Sequence, residues 1–240
     1  PANTLSLHDA LPIFILTRNL EPHKELIKAA EENGQWLLRT NSISTRFSSK
    51  LTNYLDAELA PDTRLHGVLL DVYGIGILLT GESGIGKSEC ALELIKRGHR
   101  LIADDAVDIK AIDGVLLGKC PYITSGMLEV RGMGIIDIPA IYGMSSVLNT
   151  KTISLLISLT QWNESEEYDR LGIDNQFMDI LNVHLRKITL PVRPGRNIAV
   201  IIEAAAANYI YSLNSKITPV ETINKRIEEV TKAQIGRAHV

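Results

Sequence analysis

The chain has 240 residues, of which 45% are hydrophobic, and a formal net charge of -3. This length and apolar content allow one large domain, alone or with a fragment of a second. The weakly negative charge and the lack of a basic block argue against a protein that binds nucleic acid. Polar side chains such as Asp71 and Glu203 interrupt the most apolar runs, so no segment can span a bilayer. The two cysteines, Cys90 and Cys120, fit a reducing compartment, and we expect a cytoplasmic protein.

The two ends of the chain are expected to be foreign to the fold. Residues 6–13 and 235–240 resemble translated sequencing-adapter DNA. We therefore interpret residues 1–16 as a non-native leader and residues 234–240 as a non-native tail. Residues 17–60 favour a helix, a short strand and a second helix, which is broken at Ala60-Pro61. They are too few to bury a core of their own. We interpret them as the remnant of an N-terminal domain, followed by a catalytic domain over residues 61–233.

Short apolar runs alternate with turn signals through the catalytic domain. Asp113-Gly114 predicts a two-residue hairpin turn between two of these runs. Short strands joined by tight turns predict an α/β fold with a mixed, partly antiparallel sheet. The predicted strands are 67–73, 77–80, 100–105, 107–111, 115–117, 153–159 and 188–192, and the predicted helices are 87–97, 199–212 and 217–232.

The loop between the second strand and the first helix fits the phosphate-binding pattern G-x-x-x-x-G-K-[ST]. In that pattern, backbone N–H groups point into one concavity, the lysine reaches the outer phosphates and the hydroxyl holds a divalent metal. Glycines are needed where the loop turns too tightly for a Cβ atom. An ordinary glycine-rich turn is the alternative. The predicted nucleotide-binding residues are Gly81, Glu82, Ser83, Gly84, Ile85, Gly86, Lys87 and Ser88.

Two adjacent acids, Asp104 and Asp105, end the strand that follows this helix. In phosphoryl-transfer enzymes, acids in such a position reach the metal and the nucleophile. An exposed turn with two acids is the alternative. Because neighbouring side chains of an extended segment point to opposite faces, we expect only one of the two to face the phosphates.

Three later segments carry arginines, and the last of them, a rigid loop with two arginines, suits the capture of a phosphate-bearing partner. Each of them alone is also compatible with a surface loop or an ordinary salt bridge. The segments are residues 128–137, residues 169–172 around Arg170, and residues 191–196, in which prolines frame Arg193.

Together with the phosphate-binding loop, these segments resemble the bacterial HPr kinase/phosphorylase family. The resemblance extends over residues 20–231 and rests most on residues 81–89, 128–137 and 191–197. It implies a P-loop kinase core similar in fold to phosphoenolpyruvate carboxykinase. It also implies an enzyme that phosphorylates a serine of the phosphocarrier protein HPr and removes the phosphate by phosphorolysis, giving pyrophosphate, in the control of carbon metabolism. ATP or pyrophosphate would be the phosphoryl donor and Mg2+ the metal.

The resemblance also implies roles for individual residues. His66, Lys87, Asp105 and Arg170 would be catalytic, with Asp105 accepting a proton in the kinase direction and donating one in reverse. Ser88 and Glu129 would bind the metal. A motif implicated in both activities comprises Leu128, Glu129, Val130, Arg131, Gly132, Met133, Gly134, Ile135, Ile136 and Asp137. A loop implicated mainly in dephosphorylation comprises Pro191, Val192, Arg193, Pro194, Gly195 and Arg196.

The same resemblance implies HPr as the protein substrate and a homohexamer built largely through the catalytic half. Most of the family's N-terminal domain is expected to be missing from this chain. Neither nucleic acid nor a membrane is expected as a partner. Two other interpretations stay open: a P-loop kinase that acts on a small metabolite, and a regulatory module that binds a nucleotide without turnover.

Overall fold

The computed structural model describes residues 12–163, 176–193, 195–215 and 221–227. The chain divides into two compact units, Pro1–Ala60 and Pro61–Val240. The elements of the first unit are strand β1 (Ile13–Leu16), helix α1 (Lys24–Glu32), strand β2 (Trp36–Arg39) and helix α2 (Ser44–Glu58). Strands β1 and β2 pair in parallel. Residues 13–16 of the segment interpreted as a leader therefore form a strand of this unit.

The second unit consists of a large sheet with a few helices. Its strands are β3 (Asp62–His66), β4 (Val68–Val72), β5 (Ile75–Gly81), β6 (Arg100–Ala103), β7 (Ala106–Ile112), β8 (Val115–Lys119), β9 (Met127–Val130), β10 (Gly134–Asp137), β11 (Thr150–Gln161), β12 (Gln176–Ile180) and β13 (Val183–Val192). Its helices are α3 (Lys87–Lys96), α4 (Ile138–Tyr142) and α5 (Ile198–Asn214), with short 3-10 turns at Tyr122–Thr124 and Met144–Ser146. No helix in the described ranges is long and apolar enough to cross a membrane.

Nine of these strands form one mixed sheet. Seven are ordered β3-β7-β8-β11-β5-β4-β6, and β13 pairs with both β11 and β12. Strand β11 is parallel to β5 and to β13, whereas β3, β4, β6, β7, β8 and β12 join the sheet through antiparallel pairs. The carboxyl ends of the parallel strands β5, β11 and β13 therefore lie side by side at one edge of the sheet.

Alternate residues of the central strands feed two hydrophobic clusters, one on each face of the sheet. In β5, Ile77 and Leu79 pack with helices α3 and α5, whereas Leu78 packs on the opposite face with β7 and β8. All three side chains are fully buried. Both faces of the middle of the sheet are therefore covered, as expected for strands with parallel neighbours.

The structure confirms the predicted mixed, partly antiparallel α/β fold. Helix α3 begins at Lys87 and buries the predicted face of Cys90, Ala91, Leu94 and Ile95. The hairpin turn is also present, with positive φ angles of 50° at Asp113 and 76° at Gly114. Strand β3 and the hairpin of β9 and β10 were not predicted, because these strands are short and partly exposed. Of the helix predicted over 217–232, residues 221–227 are helical and the rest lies outside the described residues.

Candidate active site

The glycine-rich loop joins the carboxyl end of β5 to the amino end of α3. Gly81, Gly84 and Gly86 have φ angles of 145°, 86° and 101°, which side chains with a Cβ rarely adopt. A Cβ on Gly81 would also lie 2.5 Å from the backbone oxygen of Leu159 on the neighbouring strand. The loop therefore needs its glycines both for its turns and for its close contact with β11.

Lys87, the first residue of α3, is only 7% exposed. Its ammonium donates hydrogen bonds of 2.9 Å to the backbone oxygens of both Gly81 and Glu82. These bonds use two of the three donors of the ammonium. The third can reach a phosphate oxygen in the cleft that Lys87 lines.

Asp104 connects the two predicted metal ligands. The Ser88 hydroxyl donates to it at 3.1 Å, and the backbone N–H of Glu129 donates to its other oxygen at 2.9 Å. The carboxylate is 5% exposed, and burial raises the pKa of Asp104 above its ordinary value, against the opposing effect of hydrogen bonds from Glu129 and Ser88. Asp104 therefore fixes the distance between helix α3 and strand β9. This connecting role of Asp104 was not predicted from the sequence.

Asp105 lies on the other side of the turn and is paired with His66. The Nδ1 atom of His66 is 3.0 Å from a carboxylate oxygen of Asp105, and both side chains are more than half exposed. Antiparallel pairing of β3 with β7 places His66 opposite Ala106, beside Asp105. The backbone N–H of Gly67 also donates to the Asp105 carbonyl at 3.1 Å.

The two acids were expected to face opposite sides, and this expectation is wrong. Both Asp104 and Asp105 line the same cleft. Strand β6 ends at Ala103, and Asp105 adopts a left-handed backbone conformation with a φ of 65°. The alternation of side chains between the two faces of the strand therefore ends at Ala103, before the two acids.

The hairpin of β9 and β10 brings two residues of the predicted motif to the cleft. Glu129 lines it, and Arg131 reaches across to the loop, where its guanidinium donates to the Ser83 hydroxyl at 2.9 Å. A Cβ on Gly84 would lie 2.5 Å from a guanidinium nitrogen of Arg131. Arg131 thus adds a positive charge directly over the phosphate-binding loop.

The remaining motif residues support the hairpin. Asp137 caps helix α4 by accepting a 2.9 Å hydrogen bond from the N–H of Ala140. Gly132 and Gly134 have positive φ angles of 83° and 85° at the hairpin turn. The buried members are Leu128, Val130 and Ile136, and the exposed members are Met133 and Ile135.

The cleft gathers most of the predicted catalytic and binding residues of the described chain. Gly81, Glu82 and Ile85 do not line it: the backbone of the first two holds Lys87, and Ile85 packs against the core. The lining residues are His66, Ser83, Gly84, Gly86, Lys87, Ser88, Glu89, Asp104, Asp105, Glu129 and Arg131.

The proline-framed loop follows β13 and does not line this cleft. The Arg196 guanidinium donates to the Pro191 backbone oxygen at 3.0 Å, and Arg193 lies over the Trp162 ring. Asn197 then caps helix α5 and donates to Glu93 of α3 at 2.9 Å. Two predicted site residues, Arg170 and Pro194, lie outside the described residues.

The cleft offers a donor set that suits Mg2+. This ion prefers oxygen ligands and commonly takes one or two carboxylates together with substrate phosphates. The Ser88 hydroxyl and the Glu129 carboxylate carry oxygens of this kind, and Asp104 holds both of their residues. The described residues contain no group of three or more His, Cys, Asp or Glu side chains placed to hold a metal. The arrangement fits an ion held jointly by protein and phosphates.

Comparison with known proteins gives consistent matches over both units. Residues 57–227 match the family described as HPr Serine kinase C-terminal domain, and residues 6–55 match HPr Serine kinase N terminus. An HPr kinase/phosphorylase of Clostridium kluyveri is 69% identical over 225 residues, which cover 94% of this chain and 73% of that protein. One from Clostridium tetani is 69% identical over 218 residues, covering 91% and 72%.

A solved structure also matches. The Hpr(Ser) kinase/phosphatase from Coxiella burnetii aligns with a TM-score of 0.60 at 35% sequence identity, over 64% of this chain and 99% of that one. The two proteins are therefore similar in sequence as well as in fold.

Proposed function

This chain belongs to the HPr Serine kinase family, and from that membership we propose how its cleft works. The chain is a protein serine kinase and phosphorylase: it phosphorylates a serine of the phosphocarrier protein HPr and removes that phosphate again. A nucleotide serves as the phosphoryl donor. We further propose that pyrophosphate can replace ATP as donor, because the loop grips phosphates rather than the base.

In the kinase direction, Asp105 accepts the proton of the attacking serine. A serine hydroxyl is a weak nucleophile and needs a base within hydrogen-bond reach. With one oxygen held by His66 at 3.0 Å, the exposed Asp105 carboxylate can present its other oxygen to an incoming hydroxyl. The attack takes place at the terminal phosphorus, without participation of water.

Two cationic side chains line the cleft and hold the phosphoryl group as it moves: Lys87 and Arg131 balance the negative charge on its equatorial oxygens. Arg170, which lies outside the described residues, is proposed from the family resemblance alone to add a further positive charge. Ser88 and Glu129 would hold Mg2+, which when bound neutralises phosphate charge. Asp104 orients the Ser88 hydroxyl by accepting its proton in a hydrogen bond, so that the oxygen lone pairs face the cleft.

In the reverse direction, inorganic phosphate occupies the same cradle and attacks the phosphorus of phosphoserine. The bond from phosphorus to the serine oxygen breaks, Asp105 returns a proton to that oxygen, and the phosphoryl group leaves as pyrophosphate. One site serves both directions because each is a phosphoryl transfer between oxygens. Residues 191–196 would favour this direction by binding the phosphate already attached to HPr.

The observation that carries this proposal is the exposed pair of His66 and Asp105, which faces Lys87 and Ser88 across one cleft. A purely structural nucleotide site has no need of an exposed carboxylate beside its phosphates. The cleft is the same one that Glu129 and Arg131 line, so donor and acceptor phosphates share their contacts.

Incubation with Mg2+, ATP labelled on its terminal phosphate and purified HPr tests the proposed function. The expected product is HPr labelled on serine, which disappears when unlabelled inorganic phosphate is added in excess. Label in a small molecule from a cell extract would instead indicate a metabolite kinase. Binding of ATP without any transfer would indicate a regulatory module.

We also propose that the chain assembles as a homohexamer and acts in the cytoplasm. Both proposals rest on the family, whose members are expected to assemble through the catalytic half. Light scattering at several protein concentrations measures the assembly, and a mass of about one protomer (26.5 kDa) at all of them would contradict it.

A further inference from the structure

Trp162 and Arg193 meet where two parallel strands end together. The pairing of β11 with β13 ends where Gln161 lies opposite Val192. Trp162 is the first residue after β11, and Arg193 is the first residue after β13. The backbone N–H of Trp162 donates to the Val192 oxygen at 3.1 Å and extends this pairing by one bond. The guanidinium carbon of Arg193 then lies 5.1 Å from the centre of the Trp162 ring.

This contact is a cation–π interaction within its usual range of about 6 Å. Tryptophan offers the most favourable face for such a contact. Stacking uses the face of the planar guanidinium, whereas its N–H donors point outward from the edge. The ring therefore restricts where the Arg193 guanidinium lies, and a contact through the guanidinium face would leave its N–H donors able to bind a phosphate.

The position of the pair in the sheet places it near the phosphate-binding loop. Strand β5, which enters that loop, is parallel to β11, and β11 is parallel to β13. With neighbouring strands about 4.8 Å apart, the loop after β13 leaves the same sheet edge roughly 10 Å from the P-loop. A protein whose phosphoserine enters the cleft would therefore dock close to the loop after β13.

The two arginines of the loop are held differently. Arg196 donates through its Nη1 atom to the Pro191 oxygen at 3.0 Å, which closes the loop on itself. At the far end, Asn197 donates to Glu93 of helix α3. The loop is thus closed by Arg196 and tied to the P-loop helix, and Arg193 is the arginine that an aromatic face orients.

We propose that Trp162 is a positioning residue for phosphorolysis, which holds the Arg193 guanidinium in the orientation that receives phosphoserine or the attacking phosphate. This inference rests on the phosphorylase activity proposed above. Trp162 does not line the cleft, and it is linked to the phosphate chemistry through its contact with Arg193. Its effect therefore passes through Arg193 and is confined to the dephosphorylating direction, because ATP is held by the P-loop and its lysine.

Steady-state rates of pyrophosphate formation from phosphoserine-HPr and inorganic phosphate test this role. Trp162→Leu removes the ring and is expected to lower kcat/KM by about two- to fivefold, the size of an exposed cation–π contact. Trp162→Phe keeps an aromatic face and is expected to recover part of that loss. The kinase rate on HPr should change by less than about twofold. The matched control is Trp36→Leu, at the only other tryptophan of the chain, which lies in the first unit and is 66% exposed.

A double-mutant cycle separates positioning from a general structural role. In an Arg193→Ala background, Trp162→Leu should cause no further loss, since the group that it orients is gone. Independent losses, equal losses in the two directions, or a Phe variant no better than Leu would each overturn the inference. If wild type forms pyrophosphate and Trp162→Leu matches it, the inference alone fails. If wild type forms none, the proposed phosphorylase activity fails and the inference with it.

Discussion

Replacing Asp104 with asparagine should weaken metal-dependent catalysis and make the stability of the fold fall less as pH rises. Asn has the shape of Asp but exchanges one acceptor oxygen for a donor. The N–H of Glu129 needs the oxygen, so the new amide nitrogen would face the Ser88 hydroxyl. That hydroxyl would then accept instead of donate, and its proton would point towards the metal position.

The size of the catalytic loss follows from the bond that is removed. A hydrogen bond to a charged group contributes about 1.5–3 kcal/mol, which corresponds to a factor of about 10 to 150. We expect this factor as a rise in the Mg2+ concentration needed for half-maximal kinase rate, combined with a fall in that rate. The matched control is Asp108→Asn on strand β7, whose carboxylate pairs with Arg64 away from the cleft residues.

The effect on stability is a change in its pH dependence. Burial raises the pKa of Asp104 above its ordinary value of 3.8, so the folded protein holds this proton to higher pH than the unfolded chain. The contribution of Asp104 to stability is therefore full below that value and is lost as pH rises through the raised pKa. The variant escapes this loss, and its melting temperature relative to wild type should increase from pH 3.5 to pH 7.

Thermal melts across that pH range, together with Mg2+ titrations of the kinase rate, check both effects. A variant that loses activity and also becomes less stable relative to wild type as pH rises would refute the reasoning. Such a result would mean that the ionised carboxylate is net stabilising, and that Asp104 acts as an ordinary buried hydrogen-bond acceptor.

The other predictions concern the cleft and the loop. Lys87→Ala should abolish both kinase and phosphorylase activities, because the two directions share the phosphate grip; an intact phosphorylase would contradict a common site. Asp105→Asn should lower the serine kinase rate by about 10² to 10⁴ with little change in nucleotide affinity, and lost binding in a calorimetric titration would make Asp105 a binding residue instead. Arg193→Ala should slow phosphorolysis at least about tenfold, because one charged contact is lost. The kinase rate should fall much less. Equal losses in both directions, measured on one preparation, would contradict a role of Arg193 that is specific to phosphorolysis.

The phosphate-binding loop could be predicted from sequence because its physics is local. The glycines that need positive φ angles, the lysine and the serine all lie within eight consecutive residues, Gly81 to Ser88. The buried face of helix α3 was predictable for the same reason, since its apolar spacing lies within one element. The turn at Asp113 and Gly114 likewise depends on two adjacent residues.

The relation between the two acids could not be predicted in this way. Their sequence is that of a strand end, and an extended strand would send Asp104 and Asp105 to opposite sides. Asp105, in its left-handed conformation, contacts the end of β3 and the residue after it: His66 pairs with its side chain, and the N–H of Gly67 donates to its carbonyl. These partners lie about forty residues earlier and are joined to the pair only through the sheet.

Long-range pairing also explains why the Trp162 contact was not foreseen. The ring and Arg193 meet only because β11 and β13 pair in register, a fact that no local pattern contains. His66 is a second residue whose place in the site could not be predicted from local sequence. Its place in the site came from the family resemblance, and its spacing in the sequence carried no signal of its own.

Isotope tracing of the reverse reaction tests whether one cleft transfers the phosphoryl group directly in both directions. Phosphoserine-HPr, inorganic phosphate and Mg2+ are incubated with the protein in water enriched in oxygen-18. We expect one pyrophosphate for each phosphoserine lost, with no oxygen-18 in the product and no reaction when phosphate is omitted. Release of inorganic phosphate carrying oxygen-18 would show hydrolysis by water and contradict direct transfer.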